Sequence, residues 1–331
     1  MQDEIASPTS DLTRDNPYLS RLNLGRVPGS AGDYTDLPAA VAQYVRASLA
    51  ENTRRAYLSD LAHFESWGGR IPASAETVAS YLAAHADTLS VPTLVRRIAS
   101  ISKAHSARGV PNPTRSELVR TTLRGIQRTQ RYTQQQAKPL LREDLLLVLD
   151  AMRDRPKDIR DRALLLIGFA GALRRSELVA LDVADVAHVQ RGIVVHLRQS
   201  KTDQDGQGHK IAIPFGRIRC AVLALDAWLA ASGLTEGAIF RPVDRHGRVH
   251  NARLKGEAVS IVVRERIAAA GLDPTGYSGH SLRAGFATSA ARAGVLAWRI
   301  KAQTRHASDA MLARYIREGE LFTDNAAGAL L

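Results

Sequence analysis

The sequence predicts a mainly α-helical protein with a small antiparallel β-sheet, divided into two domains. Apolar residues recur at helical spacing through most of 38–131 and again from residue 141 onward. Two β-branched runs, 193–197 and 210–214, flank a polar loop and predict a β-hairpin in the second half. A length of 331 residues suits two domains.

The first domain is expected to be entirely helical and to follow a disordered arm. Residues 1–37 are rich in Ser, Pro, Gly and Asp and lack apolar periodicity, which is typical of disorder. Five helices are then expected, each with a residue that commonly begins or caps a helix. Their expected starts are Pro38, Asn52 or Thr53, Ala75, Ser90 and Ser116.

Basic side chains recur on the polar faces of these helices. Arg54 and Arg55 fall in a first helical turn, where the helix dipole disfavours cations unless a phosphate lies nearby. A basic face is usually only solvated, but here it recurs on three helices of one small domain, which favours a DNA-facing surface. The candidate DNA-binding residues are Arg54, Arg55, Thr93, Arg96, Arg97 and Lys103.

The overall charge also points to a polyanionic partner. The formal net charge is +12 at pH 7, and both predicted domains are basic behind a mildly acidic arm. Nucleic acid is the simplest partner for such a chain, although charge alone does not separate DNA from RNA.

The composition favours a cytoplasmic protein that does not enter a membrane. The single cysteine, Cys220, excludes an intramolecular disulfide and a Cys-cluster metal site, which fits a reducing compartment. No apolar run reaches the roughly 18 residues of a membrane span, and the start lacks the pattern of a signal peptide.

The second domain is expected to begin after a linker at 132–140, where the apolar periodicity is lost. Within it, Glu177 follows Arg174 by three residues, so its carboxylate could orient the guanidinium. His246 and His250 have no third ligand nearby in sequence, so a metal site there is not expected. Helices are expected over 142–152, 158–170, 217–231, 255–270 and 295–303.

The stretch 276–316 brings together residue types that suit phosphodiester chemistry. His280 and Arg283 are three residues apart and share a face of the helix that they open. Tyr315 falls in a later helix, beyond a turn at 304–308. Arginine matches phosphate oxygens, histidine moves protons near neutral pH, and a tyrosine hydroxyl is a possible nucleophile. Together they suggest covalent attack on a phosphodiester.

With these motifs in combination, the chain resembles the tyrosine recombinases, the phage-integrase family, over roughly residues 38–318. Its arrangement is most similar to Cre-like plasmid and phage enzymes. The resemblance implies a helical core-binding domain at 38–131, a mixed α+β catalytic domain at 141–318, and a C-terminal tail at 319–331. The motifs that carry it are Ala172 to Leu178, Ser200-Lys201-Thr202, Ser278 to Arg283, His306, and Arg314 to Arg317.

The resemblance implies roles for the residues that handle the phosphate. Arg174 and Arg283 would clamp its non-bridging oxygens and stabilise the pentacoordinate transition state. Tyr315 would attack, giving a 3′-phosphotyrosyl link and a free 5′-hydroxyl. Lys201 would protonate that leaving oxygen. Because the phosphotyrosyl bond conserves the energy of the diester, neither a metal, ATP nor any other cofactor is expected.

Three further residues receive supporting roles from the same resemblance. His280 would act as general acid/base for the tyrosine proton, and His306 would hydrogen-bond the phosphate. Glu177 would support the active-site geometry. One departure is visible: Arg305 precedes His306 where many members of the family have glycine, which could tighten the turn or add a phosphate contact.

The implied partners are double-stranded DNA recombination sites and three further copies of the chain, giving a homotetramer on paired sites with room for accessory proteins. Two alternatives are weighed against this reading. A type IB topoisomerase-like relaxing enzyme would share the chemistry, but the helical front domain argues against it. A catalytically inactive relative that only binds DNA is opposed by the full set of six candidate catalytic residues.

Overall fold

The computed structural model forms two compact units, residues 1–134 and 135–331. Each unit is described by itself. No helix among the described residues is long and apolar enough to cross a membrane. The residues that the structure describes are 44, 51–130, 137–198, 208–306, 309, 313 and 315.

The first unit is helical throughout its described part. Ser74 caps the second helix by accepting a hydrogen bond from the Thr77 amide, and Ser116 caps the fourth by accepting from the Val119 amide. Leu61 and Phe64 lie in the core that the helices share. The helices are α1 (Glu51–Ser66), α2 (Ala75–Ala84), α3 (Val91–Ala107) and α4 (Glu117–Thr129), with a short 3-10 turn at Pro113–Arg115.

The expected helix start at Asn52 or Thr53 is wrong. The chain is already helical at Glu51, so both residues lie inside the first turn of α1. Their short polar side chains satisfy the sequence rule for a cap, but that rule does not distinguish a cap from a solvated first-turn position.

The second unit combines seven helices among its described residues with a three-stranded antiparallel sheet. The helices are α5 (Arg142–Asp150), α6 (Pro156–Ala170), α7 (Arg175–Ala180), α8 (Ala221–Ser232), α9 (Gly256–Ala269), α10 (Ser281–Arg292) and α11 (Ala297–Thr304). The strands are β1 (Val186–Val189), β2 (Gly192–Leu197) and β3 (His209–Pro214), in the order β1-β2-β3.

The predicted hairpin is present as β2 and β3, in a register that pairs Val195 with Ile211. The sequence gave no sign of β1, which pairs Val186 with Val195. Tight packing explains the glycine that opens β2: Gly192 has φ +149°, and a Cβ there would lie 2.2 Å from the Ile213 carbonyl oxygen.

Helix α6 forms the centre of this unit, with Leu164 and Leu165 fully buried. It packs against α8 and α10. Trp228 of α8 is also fully buried, and its indole N–H donates to the Ile239 carbonyl at 2.7 Å. The mainly helical fold with a small antiparallel sheet, predicted from the sequence, is therefore confirmed.

Two predicted helix boundaries differ from those observed. Helix α6 begins at Pro156, because a proline without an N–H is favoured in a first turn. Helix α8 begins only at Ala221, whereas 217–231 was expected. Residues 217–220 instead form a turn in which the Gly216 amide contacts Cys220 Sγ at 3.3 Å.

Helix α10 is pressed against the segment that opens the unit. The Leu140 amide donates to the Ser281 carbonyl at 3.0 Å, and the Arg142 amide donates to Ser289 Oγ at 3.0 Å. A Cβ at Gly285 would lie 1.8 Å from the Leu140 carbonyl oxygen, so this close approach requires glycine. The contact fixes the helix that begins beside His280.

Candidate active site

A short serine-rich turn delivers the first two site residues. The Ser278 amide donates to Ser281 Oγ at 2.9 Å, and the His280 amide donates to Ser278 Oγ at 3.2 Å. Ser260 of α9 holds the turn from outside by accepting from the Gly279 amide at 3.0 Å. His280 therefore occupies the N-cap of α10, with Arg283 in the first turn.

Arg283 is almost completely buried and links α10 to a second turn. Its Nη1 donates to the Ala172 carbonyl at 2.9 Å, and Ala172 itself has a left-handed backbone with φ 45°. Burial first, and then the neighbouring Arg174 and Arg305 charges, lower the pKa of Arg283 to about 10. The guanidinium remains protonated at neutral pH and is strongly poised to contact an anion.

Arg174 is held by Glu177 through both its backbone and its side chain. Its amide donates to Glu177 Oε2 at 2.9 Å, and its Nη1 donates to Glu177 Oε1 at 2.7 Å. The carboxylate is buried while the arginine side chain keeps 21% exposure. Glu177 therefore fixes the direction of the guanidinium and leaves part of it accessible.

Tyr315 lies between the two histidines. Its Oη is 2.9 Å from Nε2 of His280, and its ring stacks on His306 with centroids 5.5 Å apart. The tyrosine is buried beside Ala284, Ala287 and Ala291 of α10, whose small side chains leave room for the ring. The hydroxyl thus contacts an imidazole nitrogen at the edge of the arginine cluster.

His306 is buried at the end of α11 and is anchored through one ring nitrogen. Thr304 Oγ1 lies 2.8 Å from its Nδ1. Its Nε2 is buried without a hydrogen-bond partner among the residues described. Burial, followed by Arg283 and Arg174, lowers the pKa of His306 to about 4, so the ring is neutral at pH 7.

His280 is also held in its neutral form. Loss of solvent around its inner edge, then the charges of Arg283 and Arg174, lower its pKa, although its outer edge is exposed. A neutral imidazole at hydrogen-bond distance from a tyrosine hydroxyl is able to accept the phenolic proton. The surrounding cations would stabilise the negative charge that develops.

Five of the six candidate catalytic residues therefore converge in one place. The sixth, Lys201, lies outside the described residues, as does Arg314. The loop that carries Lys201 joins β2 to β3, whose ends at Leu197 and His209 are paired. The five that converge are Arg174, His280, Arg283, His306 and Tyr315.

Two contacts of this site were missed by reasoning from sequence. Arg305 Nη2 donates to Glu177 Oε2 at 2.7 Å, across 128 positions of the chain. Thr304 anchors His306 from two residues away. The unusual arginine before His306 was a visible signal, but nothing in the spacing identified Glu177 as its partner.

The candidate DNA-binding residues in the first unit have different surroundings. Arg54 pairs with Glu51 at 2.8 Å and Arg55 donates to Asn52 at 2.7 Å, so both are exposed within their own helix. Thr93 is half-buried, with its hydroxyl 2.9 Å from that of Ser90. Lys103 is also half-buried.

The adjacent pair Arg96 and Arg97 separates clearly. Arg96 donates through Nε and Nη2 to both carboxylate oxygens of buried Asp60, at 2.9 and 2.8 Å, and keeps 49% side-chain exposure. The expectation that Arg97 occupies a polar surface position is wrong. Arg97 is buried and donates to the Tyr81 hydroxyl, because the next position around α3 faces the core.

Comparisons with known proteins agree with this geometry. Residues 138–320 match the sequence model of the phage integrase family. The integrase/recombinase xerD homolog of Selenomonas ruminantium is 39% identical over 290 residues, which cover 84% of this chain and 85% of that relative. The recombinase Cre of Escherichia phage P1 is 27% identical over 275 residues, covering 76% and 79% respectively.

Solved structures share the fold. A lambda integrase tetramer bound to a Holliday junction matches with a TM-score of 0.60 at 18% identity, covering 86% of this chain and 77% of that one. The XerH site-specific recombinase bound to a palindromic difH substrate matches with a TM-score of 0.57 at 16% identity, covering 88% and 83%.

Proposed function

The chain belongs to the phage integrase family and is a tyrosine-type site-specific DNA recombinase, and we propose that Tyr315 is its nucleophile. The observation that carries this proposal is the 2.9 Å contact between His280 Nε2 and Tyr315 Oη. Tyrosine has an ordinary pKa near 10, so at neutral pH its hydroxyl needs a base to take the proton as it attacks.

The reaction begins with attack of Tyr315 Oη on the scissile phosphorus. A new oxygen–phosphorus bond forms to the 3′ side, the bond to the 5′ oxygen breaks, and His280 takes the phenolic proton. Arg174 and Arg283 contact the non-bridging oxygens and stabilise the charge of the pentacoordinate transition state. His306 offers its Nε2 edge to the same phosphate in its neutral, N–H-bearing form.

Lys201 supplies the proton to the departing 5′ oxygen. The role rests on its position in the β2–β3 loop of a family member, since the side chain itself lies outside the described residues. Religation reverses the sequence: the 5′ hydroxyl of the partner strand attacks the phosphotyrosyl bond and releases Tyr315.

The chemistry needs no cofactor in this proposal. Each transesterification exchanges one phosphodiester for another of similar energy, so no ATP is consumed. The three guanidinium groups of Arg174, Arg283 and Arg305 provide the positive charge that a metal supplies in other phosphoryl-transfer enzymes.

The partners follow from the reaction. The substrate is double-stranded DNA carrying a recombination site, contacted by the basic faces of the first unit. Exchange between two duplexes requires four cleavages, so we propose a homotetramer on paired sites, in which accessory proteins could also take part. We assign the activity to the cytoplasm, on nucleoid DNA, in keeping with a single cysteine.

The two alternatives considered from sequence are not favoured. The relatives that share most of the chain are recombinases, which weighs against a topoisomerase-like relaxing enzyme. The contact between His280 and Tyr315 weighs against an inactive DNA-binding relative, because binding alone requires no base beside a tyrosine.

A suicide-substrate gel tests the proposal. A nicked duplex that loses its short 5′ product traps the covalent protein–DNA adduct, and the wild type should form this adduct in EDTA and without nucleotide. Loss of the adduct in EDTA with recovery in magnesium would contradict metal-free chemistry. Absence of the adduct in both conditions, with a bound cognate site, would reject catalysis.

A further inference from the structure

Arg305 has a backbone conformation that its side chain makes unfavourable. Its φ is 56°, in the left-handed region where glycine and asparagine are tolerated best. Its side chain is nevertheless buried, with 8% exposure, between the buried residues Thr304 and His306. An arginine kept inside the protein in this conformation calls for a specific reason.

The contacts of Arg305 join it to the predicted phosphate clamp. Its Nη2 lies 2.7 Å from Glu177 Oε2, and its backbone carbonyl accepts from Arg174 Nη2 at 3.4 Å. The other carboxylate oxygen of Glu177 accepts from Arg174 at 2.7 Å. Glu177 is therefore shared between two arginines, one on each oxygen.

The charge balance of this trio bears directly on anion binding. A buried carboxylate paired with Arg174 alone would cancel the charge of that guanidinium within the site. With Arg305 on its other oxygen, Glu177 leaves the trio one net positive charge. The nearby Arg283 guanidinium adds a second. The site thus keeps an excess of positive charge despite the carboxylate.

We propose that Arg305 is a positioning residue that supplies the counter-charge to Glu177, so that Arg174 is both oriented by the carboxylate and free to bind a phosphate. The proposal rests on the function inferred above for this site. It assigns to Arg305 a role beyond shaping the turn before His306. Its effect is carried through Glu177 and Arg174.

The first test measures anion binding without DNA. Inorganic phosphate, the probe, is titrated into the full chain while the shift in melting temperature is followed. Arg305→Asn removes the charge but tolerates the left-handed backbone, and Arg305→Lys keeps the charge. Arg264→Asn, which changes an exposed arginine on α9, is the matched control.

We expect Arg305→Asn to weaken phosphate binding about tenfold, which is the scale expected for loss of one nearby charge. Arg305→Lys should recover most of this loss, and Arg264→Asn should bind as the wild type does. Equal phosphate affinity in wild type and Arg305→Asn would overturn the proposal. So would loss in both Arg305 variants alike, or a wild type that phosphate does not stabilise.

The second test asks whether the effect passes through Glu177. Adding Glu177→Gln to Arg305→Asn removes the carboxylate that Arg305 no longer balances, so phosphate binding should improve over Arg305→Asn alone. Unchanged or weaker binding in the double variant would overturn the mechanism, because a purely structural role predicts additive loss.

Adduct formation on the suicide substrate is measured in parallel and separates the two proposals. If phosphate binding follows the expected pattern but the wild type forms no adduct, the catalytic proposal fails and the role of Arg305 stands. If the wild type forms adduct but phosphate binding ignores the Arg305 variants, the role of Arg305 fails and the catalytic proposal stands.

Discussion

Nε2 of His280 and Oη of Tyr315 lie 2.9 Å apart although the two residues are separated by 35 positions in the chain. The imidazole is carried by the N-cap of α10, and the tyrosine packs on the alanine face of the same helix. One helix therefore sets both the position of the base and the depth of the nucleophile. The contact accounts for the first prediction.

Tyr315→Phe should abolish the covalent adduct and leave specific DNA binding intact, because it removes only the attacking oxygen. The measurement is a suicide-substrate gel beside a mobility-shift titration. Tyr277→Phe is the matched control, since Tyr277 is buried in the same unit with its hydroxyl 3.5 Å from Asp144. An adduct at the wild-type level in Tyr315→Phe would refute the nucleophile.

Lys201→Ala should slow cleavage through loss of leaving-group protonation. A sulfur atom at the 5′ bridging position needs little protonation, so that substrate should restore the rate of cleavage by the variant. Lys210→Ala, on the exposed face of β3 in the same hairpin, should behave as the wild type on both substrates. Failure of the sulfur substrate to rescue Lys201→Ala would give the lysine another role.

His306 should make the free protein less stable in mild acid. Its pKa is about 4 in the folded state and near 6.5 when unfolded, so the unfolded chain binds the proton more readily. The contribution is complete above pH 6.5 and is lost as the pH falls toward 4. The loss amounts to about 3 kcal/mol of unfolding free energy.

Denaturant unfolding between pH 7.5 and pH 4 checks this prediction, with carboxylates as a shared background. The difference in unfolding free energy between the wild type and His306→Asn should narrow toward low pH. His209→Asn, an exposed position on β3, should show a constant difference. A constant difference for His306→Asn as well would mean that the buried ring titrates normally.

Arg96 and Arg97 should respond differently to substitution. Arg96→Ala should lower the salt slope of DNA binding by about 1, as expected for one lost phosphate contact, because this guanidinium is half exposed and held by Asp60. Arg97→Ala should keep the slope and cost about 1–3 kcal/mol of unfolding free energy, since it leaves Tyr81 unpaired in the core.

Binding titrations over a range of salt concentrations, together with denaturant unfolding, distinguish the two arginines. Arg54→Ala and Arg55→Ala belong in the same series, because both side chains are exposed in the first turn of α1. A slope that falls for Arg97 but not for Arg96 would reverse the assignment of the DNA-facing side of α3.

Removal of residues 320–331 should leave single-site binding nearly intact and abolish the tetrameric synapse. These residues lie outside the described part of the chain, and the prediction comes from the apolar side chains of Leu321, Phe322, Leu330 and Leu331. Light scattering on paired sites gives the measurement. A truncated protein that still forms the synapse and recombines would show that the tail is not donated to a neighbour.

The site was more predictable from sequence than its supporting contacts. His280 and Arg283 share a helix, and Glu177 follows Arg174 by one helical turn, so local periodicity was enough to pair them. The pairing of Arg305 with Glu177 depends on tertiary packing between distant turns. No spacing rule could have reached it.

The fold shows the same division between local and long-range information. Most helices were predicted because their apolar residues repeat at helical spacing. Strand β1 was missed because its four residues are mostly exposed and acquire their structure only by pairing with β2. Arg97 was predicted at the surface because charge pattern alone does not tell which face of α3 meets Tyr81.

Gly285 gives the molecule a vulnerable position that has no chemical role. Any side chain there would collide with the Leu140 carbonyl and push α10 outward, carrying His280 and Arg283 with it. A random mutagenesis screen for lost recombination should therefore recover substitutions at this glycine beside those at Tyr315. Such alleles would mimic catalytic defects while leaving every reactive group in the chain.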